Sequence, residues 1–161
     1  MIRPATRDDI PAILAIWNPL IRETTITFSS EEKTADGVAQ MIELRCAAGR
    51  EFLVAAERDE IKGFVTYDQF RGGNGYIHAM EHTIIIGPGT RGSGLGRLLM
   101  TAVEDHARAA GAHTMVAGVS AENANAISFH RAIGYEDVGY LPQSGRKFDR
   151  WLDLVLLQKL L

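Results

Sequence analysis

The most informative part of the sequence is residues 84–100, Ile84-Ile85-Ile86-Gly87-Pro88-Gly89-Thr90-Arg91-Gly92-Ser93-Gly94-Leu95-Gly96-Arg97-Leu98-Leu99-Met100. It opens with an apolar β-branched run, continues as a glycine-rich turn with two arginines, and ends with apolar residues at helical spacing. This pattern predicts a strand, a loop and a helix whose first turn carries few side chains. Because helix N-termini and glycine-rich turns expose N–H groups to anions, we expect a phosphate or pyrophosphate site here. The expected apolar stripe of the helix is Leu95, Leu98, Leu99, Ala102, Val103 and His106.

Two phosphate-binding patterns overlap in this turn. Residues 87–92 satisfy G-x-G-x-x-G, the dinucleotide fingerprint, whereas residues 91–96 satisfy R-x-x-G-x-G. A dinucleotide site also needs an acidic residue about 20 positions further on, and no Asp or Glu occurs between Asp105 and Glu122. The sequence therefore disfavours a dinucleotide site, and it contains no Gly-Lys-Ser/Thr phosphate loop.

Composition narrows the class of protein. The 161 residues suit a single domain spanning 1–161, and 46% hydrophobic residues is ordinary for a folded chain. A net charge of -3 argues against a nucleic-acid partner. We expect no membrane partner, because no apolar run approaches the ~20 residues that cross a bilayer. Cys46 is the only cysteine, so no intrachain disulfide can form, which favours a reducing, cytoplasmic location. Cys46 itself is expected to be a small core residue.

Periodicity and turn residues indicate a mixed α/β chain. A capping box at Thr6 and Asp9 precedes the first helix, which Asn18-Pro19 is expected to break or kink. An antiparallel meander, a helix, a strand, a helix and two closing strands follow the first two helices. We expect strands at 2–4, 52–57, 61–67, 79–86, 114–119, 135–141 and 151–157, helices after 10, over 34–48, after 94 and over 123–133, and an extended stretch at 24–28.

This order of strands and helices, with R-x-x-G-x-G after the fourth main strand, resembles the GNAT superfamily of acyl-CoA-dependent N-acetyltransferases. The segment from Asn125 to Tyr135 is similar to the family's asparagine-containing helix followed by Gly-Phe/Tyr. The tail from Gln143 to Asp153 resembles the phosphinothricin/methionine sulfoximine acetyltransferase branch, as do Asn18, Thr27-Phe28, Phe70-Arg71, Tyr76, Glu81-His82, Ser128 and His130. The resemblance covers essentially the whole chain. It implies a mixed, mostly antiparallel sheet with about four helices, acetyl-CoA as co-substrate and a homodimer.

The resemblance also implies how acetyl-CoA would bind. Backbone N–H groups of the glycine turn would take the pyrophosphate, and the apolar strand would pair with the pantetheine arm as an added strand would. One N–H of that strand would hold the developing oxyanion. Asn125 resembles the family residue that contacts the arm, with helix capping as the alternative. The expected cofactor-binding residues are Ile84, Ile85, Ile86, Arg91, Gly92, Ser93, Gly94, Leu95, Gly96, Arg97 and Asn125.

Three residues are candidates for catalysis. Glu81 is the candidate general base, since the family places a carboxylate in this strand; the alternative is a surface carboxylate paired with an arginine. The adjacent His82 points to the opposite face of the strand and is interpreted as structural. His130 stands where many GNAT enzymes have a tyrosine that protonates the leaving thiolate; the alternative is a half-buried structural histidine. Ser128 is a second candidate donor.

The acceptor is expected to be the primary amine of a small amino-acid-like molecule, acetylated directly in a ternary complex. Arg71 and Lys147 are expected to bind its carboxylate or phosphinate, with surface charge as the alternative, and Phe28 and Tyr76 to wall the pocket. No metal site is expected. The rival functions are a peptide or protein N-terminal acetyltransferase, which would need an open cleft, and a non-catalytic acyl-CoA sensor, which would need neither Glu81 nor His130.

Overall fold

The computed structural model describes residues 1–90 and 92–161. The described residues form strands β1 (Ile2–Pro4), β2 (Phe52–Glu57), β3 (Glu60–Gln69), β4 (Ala79–Ile86), β5 (Thr114–Ser120), β6 (Glu136–Lys147) and β7 (Arg150–Leu160). They form helices α1 (Ile10–Glu23), α2 (Ala35–Ala47), α3 (Leu95–Ala109) and α4 (Ala124–Ala132).

All the strands join one sheet in the order β1-β2-β3-β4-β5-β7-β6. Every neighbouring pair is antiparallel except β4 and β5, which run parallel. The expected mixed, mostly antiparallel sheet is therefore confirmed. None of the helices in the described ranges is both long and apolar enough to cross a lipid bilayer.

Alternation along β4 divides its isoleucines between two cores. Ile85 belongs to the core formed with α1 and α2, whereas Ile84 and Ile86 pack against the core beneath α3 and α4. On the α1 side, Trp17 and Phe64 lie with their ring centroids 4.9 Å apart. Because successive strand residues point to opposite faces, a continuous apolar run is the pattern expected for a strand covered on both faces.

Two features of the N-terminal region differ from expectation. The expected break at Pro19 is wrong, because α1 continues to Glu23. The buried face of this helix, with Trp17 and Ile21 on either side of the proline, anchors both halves of the helix to the sheet. The stretch 24–28 is an irregular, bent loop, because it crosses the end of the sheet without pairing with any described strand.

Two side chains expected in the core lie on the surface. Leu98 is 59% exposed, and the buried face of α3 is formed instead by Leu99, Met100, Val103, Glu104 and Ala107. Cys46 is also exposed, near the end of α2. Both errors have one cause. A short apolar pattern is compatible with more than one buried face of a helix, and packing against the sheet determines which face is buried.

The parallel pair β4–β5 separates within the sheet. Its last paired residues are Glu81 and Val116, although β4 continues to Ile86 and β5 to Ser120. Beyond Glu81, the β5-facing edge of β4 therefore has no strand partner within the described part of the sheet. This separation creates the cleft that carries the candidate site.

Candidate active site

A cavity of about 310 Å³ occupies the cleft between the separated strands. Residues 81–85 of β4 and 117–120 of β5 form its two walls, and residues 26–29 of the loop after α1 close one side. Because the strands no longer touch, side chains from both faces of β4 reach the same cavity. Glu81 and His82 are adjacent in sequence, and both line it.

Glu81 has the environment of a general base. Its side chain is half-buried, and it forms no hydrogen bond or ion pair with any described residue. Burial raises the pKa of its carboxyl above the ordinary value. An ideal Cβ built on Gly118 would lie 2.9 Å from Oε1 of Glu81, so the glycine in β5 provides the space for the carboxylate. The alternative of an arginine-paired surface carboxylate is wrong.

His130 is buried and bonded through both ring nitrogens. It is 3% exposed; its Nδ1 lies 2.7 Å from the carbonyl oxygen of Ala126, and its Nε2 lies 2.9 Å from Nε2 of His82. A carbonyl oxygen only accepts, so Nδ1 of His130 carries a proton and donates it. In neutral His130, Nε2 is then an acceptor, and Nε2–H of His82 is its donor.

The histidine pair is held neutral by its surroundings. Burial, followed by the neighbouring His130, lowers the pKa of His82 to about 3. Burial also lowers the pKa of His130, against the opposing effects of the Ala126 carbonyl and Glu104. The backbone of Val116 opposes this effect and raises the pKa of His82, although the buried Nδ1 of His82 forms no hydrogen bond of ordinary geometry within the described chain. The mobile proton of the neutral pair is therefore the one shared by the two Nε2 atoms.

The position of His82 in the cavity wall was not predicted from the sequence. Alternation places it on the face of β4 opposite Glu81, yet both side chains line the cavity because β4 and β5 separate there. A histidine directly after the candidate base, with a second histidine at the expected donor position, was the available signal. Gly118 was also missed, since a glycine in a strand shows its purpose only when its neighbour is known.

The features expected to bind acetyl-CoA lie together at the end of β4. Gly92 and Gly94 have φ values of +78° and +81°, and Gly94, the N-cap of α3, has no side chain to cap it. One long contact of 3.4 Å joins the Leu95 N–H to Oγ of Ser93. Gly96 lies in the first turn of α3, where an added Cβ would be 3.2 Å from the ring of Phe129. Free helical N–H groups beside backbone without side chains suit a pyrophosphate, and the unpaired edge of β4 suits the pantetheine amides.

Most of the other residues expected to bind the cofactor lie in β4, in the turn after it and in the first turn of α3. Ile84 and Ile85 line the cavity, and Ile86 packs beside Gly96. Ser93 donates to the carbonyl of Thr90 within the turn, while Leu95 and Arg97 belong to the first turn of α3. Arg91 lies outside the described residues.

Two expected residues of α4 face solvent. Asn125 and Ser128 are exposed, and neither lines the cavity. The capping alternative for Asn125 is wrong, because the cap of α4 is Asn123, whose side chain accepts from the N–H of Ala126. Ser128 is displaced from the cavity because the inner face of this helix presents Ala126 and His130 instead.

Lys147 has a different position from the one expected. It is 4% exposed, and its Nζ donates to the carbonyl oxygens of Thr24 at 2.6 Å and Thr27 at 2.8 Å. Its ammonium thus ties the loop after α1 to the end of β6. The same loop places Phe28 in the cavity wall, as expected. Gly145 permits this arrangement, since its added Cβ would lie 2.3 Å from the ring of Phe28.

Arg71 and Tyr76 lie outside the cavity wall. Both are exposed in the connection between β3 and β4, where the Arg71 guanidinium lies 5.6 Å from the ring centroid of Tyr76. This connection lies at the start of β4, whereas the cleft opens toward its end. The structure therefore does not bring these two residues together with Glu81 or Phe28 in the cavity.

Comparisons with known proteins agree with this geometry. The sequence profile of the acetyltransferase (GNAT) family matches residues 16–135. The L-methionine sulfoximine/L-methionine sulfone acetyltransferase of Pseudomonas aeruginosa is 37% identical over 158 residues, covering 98% of this chain and 92% of that protein. The family match and this relative together identify the protein as an acetyltransferase that acts on amines.

Two solved structures share the fold over the full chain. The ribosomal-protein-alanine N-acetyltransferase from Brucella melitensis has a TM-score of 0.96 at 37% identity and covers 100% of this chain and 99% of its own. The phosphinothricin acetyltransferase from Sinorhizobium meliloti, solved with acetyl-CoA, has a TM-score of 0.94 at 26% identity, covering 100% and 88%. The chain belongs to the GNAT family of acetyl-CoA-dependent N-acetyltransferases, and its relatives include the methionine sulfoximine and phosphinothricin acetyltransferases.

Proposed function

We propose that this enzyme acetylates the α-amine of a small amino acid of the methionine sulfoximine or phosphinothricin type, by direct transfer in a ternary complex. One observation carries the proposal. The unpaired carboxylate of Glu81 lies in a cleft with a cavity of about 310 Å³, beside the free edge of β4. A cavity of this size suits a free amino acid, and a carboxylate without a protein partner suits its ammonium group.

The reaction follows from the positions of the chain's own groups. Acetyl-CoA supplies the acetyl group as a thioester. Glu81 accepts a proton from the acceptor's ammonium, directly or through water, so that the amine can attack the carbonyl carbon. An N–H on the free edge of β4 stabilises the negative charge on the carbonyl oxygen. As the carbon–sulfur bond breaks, the attacking nitrogen loses its second proton and the thiolate gains one. The neutral His82–His130 pair relays this proton, accepting one for each one that it gives.

The decisive experiment measures CoA thiol release with methionine sulfoximine and phosphinothricin. Glu81→Gln preserves the shape of the side chain and removes the base, so kcat should fall by roughly 100-fold or more. The acidic limb of the wild-type pH profile should disappear, since that limb reports protonation of Glu81. Glu57→Gln, at the exposed end of β2, is the matched control and should retain activity. Wild-type kcat in Glu81→Gln would contradict the assigned base.

The histidine pair is tested by His130→Phe and His82→Phe. Both should lower kcat with the KM for acetyl-CoA unchanged, because either change breaks the contact between the two Nε2 atoms through which the pair relays a proton. Loss of thermal stability with a wild-type kcat would show that the pair has a structural role.

Acetylation of a protein N-terminus is the second candidate function, since a structural neighbour of 37% identity bears the name ribosomal-protein-alanine N-acetyltransferase. The loop held by Lys147 closes the cavity on the acceptor side, which favours a free amino acid over a polypeptide. Alanine-initiated peptides provide the direct comparison. Turnover of these peptides, with none of the free amino acids, would select the second candidate.

We also propose that the protein is a cytoplasmic homodimer. Exposed apolar side chains cluster on the terminal hairpin, where Tyr140, Leu141 and Trp151 are 58%, 40% and 57% exposed. Such a patch on an edge of the sheet supports burial against a second copy. Sedimentation should give twice the monomer mass, and Tyr140→Glu should shift it toward the monomer. The exposed thiol of Cys46 fits a reducing compartment.

A further inference from the structure

The cavity contains an electrostatic feature that the sequence did not predict. The two cations expected to bind the acceptor's acidic group are elsewhere, Arg71 on an exposed connection and Lys147 on backbone carbonyls. Among the described residues that line the cavity, Lys33 is the one lysine or arginine, and Glu81 is the one carboxylate. The cavity thus pairs a positive group on the α1 side with a negative group on β4.

The chain positions Lys33 by two separate contacts. The side chain of Asn18 accepts from the Lys33 N–H at 2.8 Å and donates to its carbonyl oxygen at 3.0 Å, which fixes the backbone against α1. The Nζ atom of Lys33 lies 5.2 Å from the ring centroid of Trp17, the residue before Asn18 in α1. A cation held over an aromatic face keeps its N–H donors available to a ligand.

Lys33 also has no competing partner in the described chain. No described carboxylate lies within 4.0 Å of its Nζ, and the nearby Glu32 is paired with Arg22 at 2.8 Å. An unpaired ammonium in the wall of a cavity is the feature expected of an anion-binding group, because the ligand supplies the missing charge.

We propose that Lys33 binds the α-carboxylate of the acceptor while Glu81 receives its ammonium. The site would then select α-amino acids over simple amines, because only a zwitterion satisfies both charges at once. The apolar side chains of Ile21, Ile26 and Phe28 also line the cavity, and they suit the aliphatic part of the acceptor side chain. This inference rests on the proposed function and adds the residue that determines its substrate class.

The test compares two acceptors that differ in one charge, L-methionine sulfone and its primary carboxamide. For the wild-type enzyme, the carboxamide should have the higher KM. Lys33→Met should raise the KM for the sulfone about tenfold to a hundredfold, the usual loss for a hydrogen bond to a charged group. It should leave the KM for the carboxamide and for acetyl-CoA unchanged, and Lys33→Arg should restore much of the selectivity.

Lys62→Met is the matched control, since it removes the same charge from a lysine that pairs with Glu60 outside the cavity. It should preserve the preference for the carboxylate. Equal losses for both acceptors in Lys33→Met would overturn the proposal and show that Lys33 supports the loop alone. The proposal would also fail if Arg71→Met, and not Lys33→Met, abolished the preference. Absence of wild-type turnover with any free amino acid would instead refute the proposed function, which keeps the two failures distinct.

Discussion

Replacement of Gly118 by alanine should slow the reaction without destabilising the fold. An ideal Cβ at this position lies 2.9 Å from Oε1 of Glu81, whereas ordinary contacts begin at 3.4 Å. The carboxylate must therefore move by the difference, about 0.5 Å. It is free to do so, because it is the end of a flexible side chain with no partner among the described residues. The backbone of Gly118 adds no strain, since its φ is not positive.

The expected magnitude follows from the cost of misplacing a catalytic group. A displacement of 1 Å costs up to about 100-fold in rate, so a displacement of half that should lower kcat about tenfold. Thiol-release kinetics should show this loss in kcat, with the KM for acetyl-CoA unchanged. Thermal unfolding should give the wild-type Tm.

Gly139→Ala provides the matched control for this prediction. It places the same methyl group on β6, where the Cβ would meet side-chain atoms of Leu156 at 3.6 and 3.7 Å, which are ordinary contacts. Its kcat should match the wild type. A wild-type kcat in Gly118→Ala would refute the reasoning, because it would mean that the position of the Glu81 carboxylate does not limit the reaction.

Three further changes test other parts of the structure. Gly94→Ala forces a side chain onto a residue with φ of +81°, at a cost of about 1–2 kcal/mol; titration should show a KM for acetyl-CoA raised severalfold and an unchanged KM for the acceptor. Asp9→Asn removes the carboxylate that accepts from Arg3 at 2.7 and 2.8 Å and whose pKa the Arg3 guanidinium lowers from 3.8 to about 2. A carboxyl whose pKa is lower in the folded protein stabilises the fold at pH values above its pKa in the unfolded chain. Chemical unfolding of Asp9→Asn should therefore show a free energy of unfolding about 2 kcal/mol lower than the wild type at pH 7, and this difference should disappear as the pH falls from about 4 to 2. Lys147→Met should raise the acceptor KM about tenfold by releasing two carbonyls of the loop, whereas an unchanged acceptor KM would show that the loop closes without it.

The sequence predicted the strands and the order of the elements well, because local patterns encode them. The run of isoleucines predicted β4 with its observed bounds, Ala79–Ile86. The closing pair was predicted too short, since β6 contains two register shifts and its turn to β7 uses Phe148 and Asp149, both with positive φ. A two-residue turn of this kind is recognised in a sequence by glycine or asparagine, and neither is present.

The sequence predicted the candidate site only where one strand carries it. Glu81, Ile84 and Ile85 line the cavity as expected, because all three belong to β4. The positions of the charged residues were not predicted, because tertiary contacts set them. Lys147 is held by the loop after α1, and Lys33 by Trp17 and Asn18 of that helix. No local pattern distinguishes a lysine that binds a ligand from one that binds a carbonyl oxygen.

The contact between Lys147 and the loop after α1 also orders events during synthesis. Thr24 leaves the ribosome long before its partner, which lies 123 residues later in the chain. A nascent chain that has already folded β1 to β5 therefore still lacks the group that holds this loop in place. Closing a loop of this length costs entropy before its contact stabilises the chain, so we expect this side of the cavity to become ordered only after the terminal hairpin has docked.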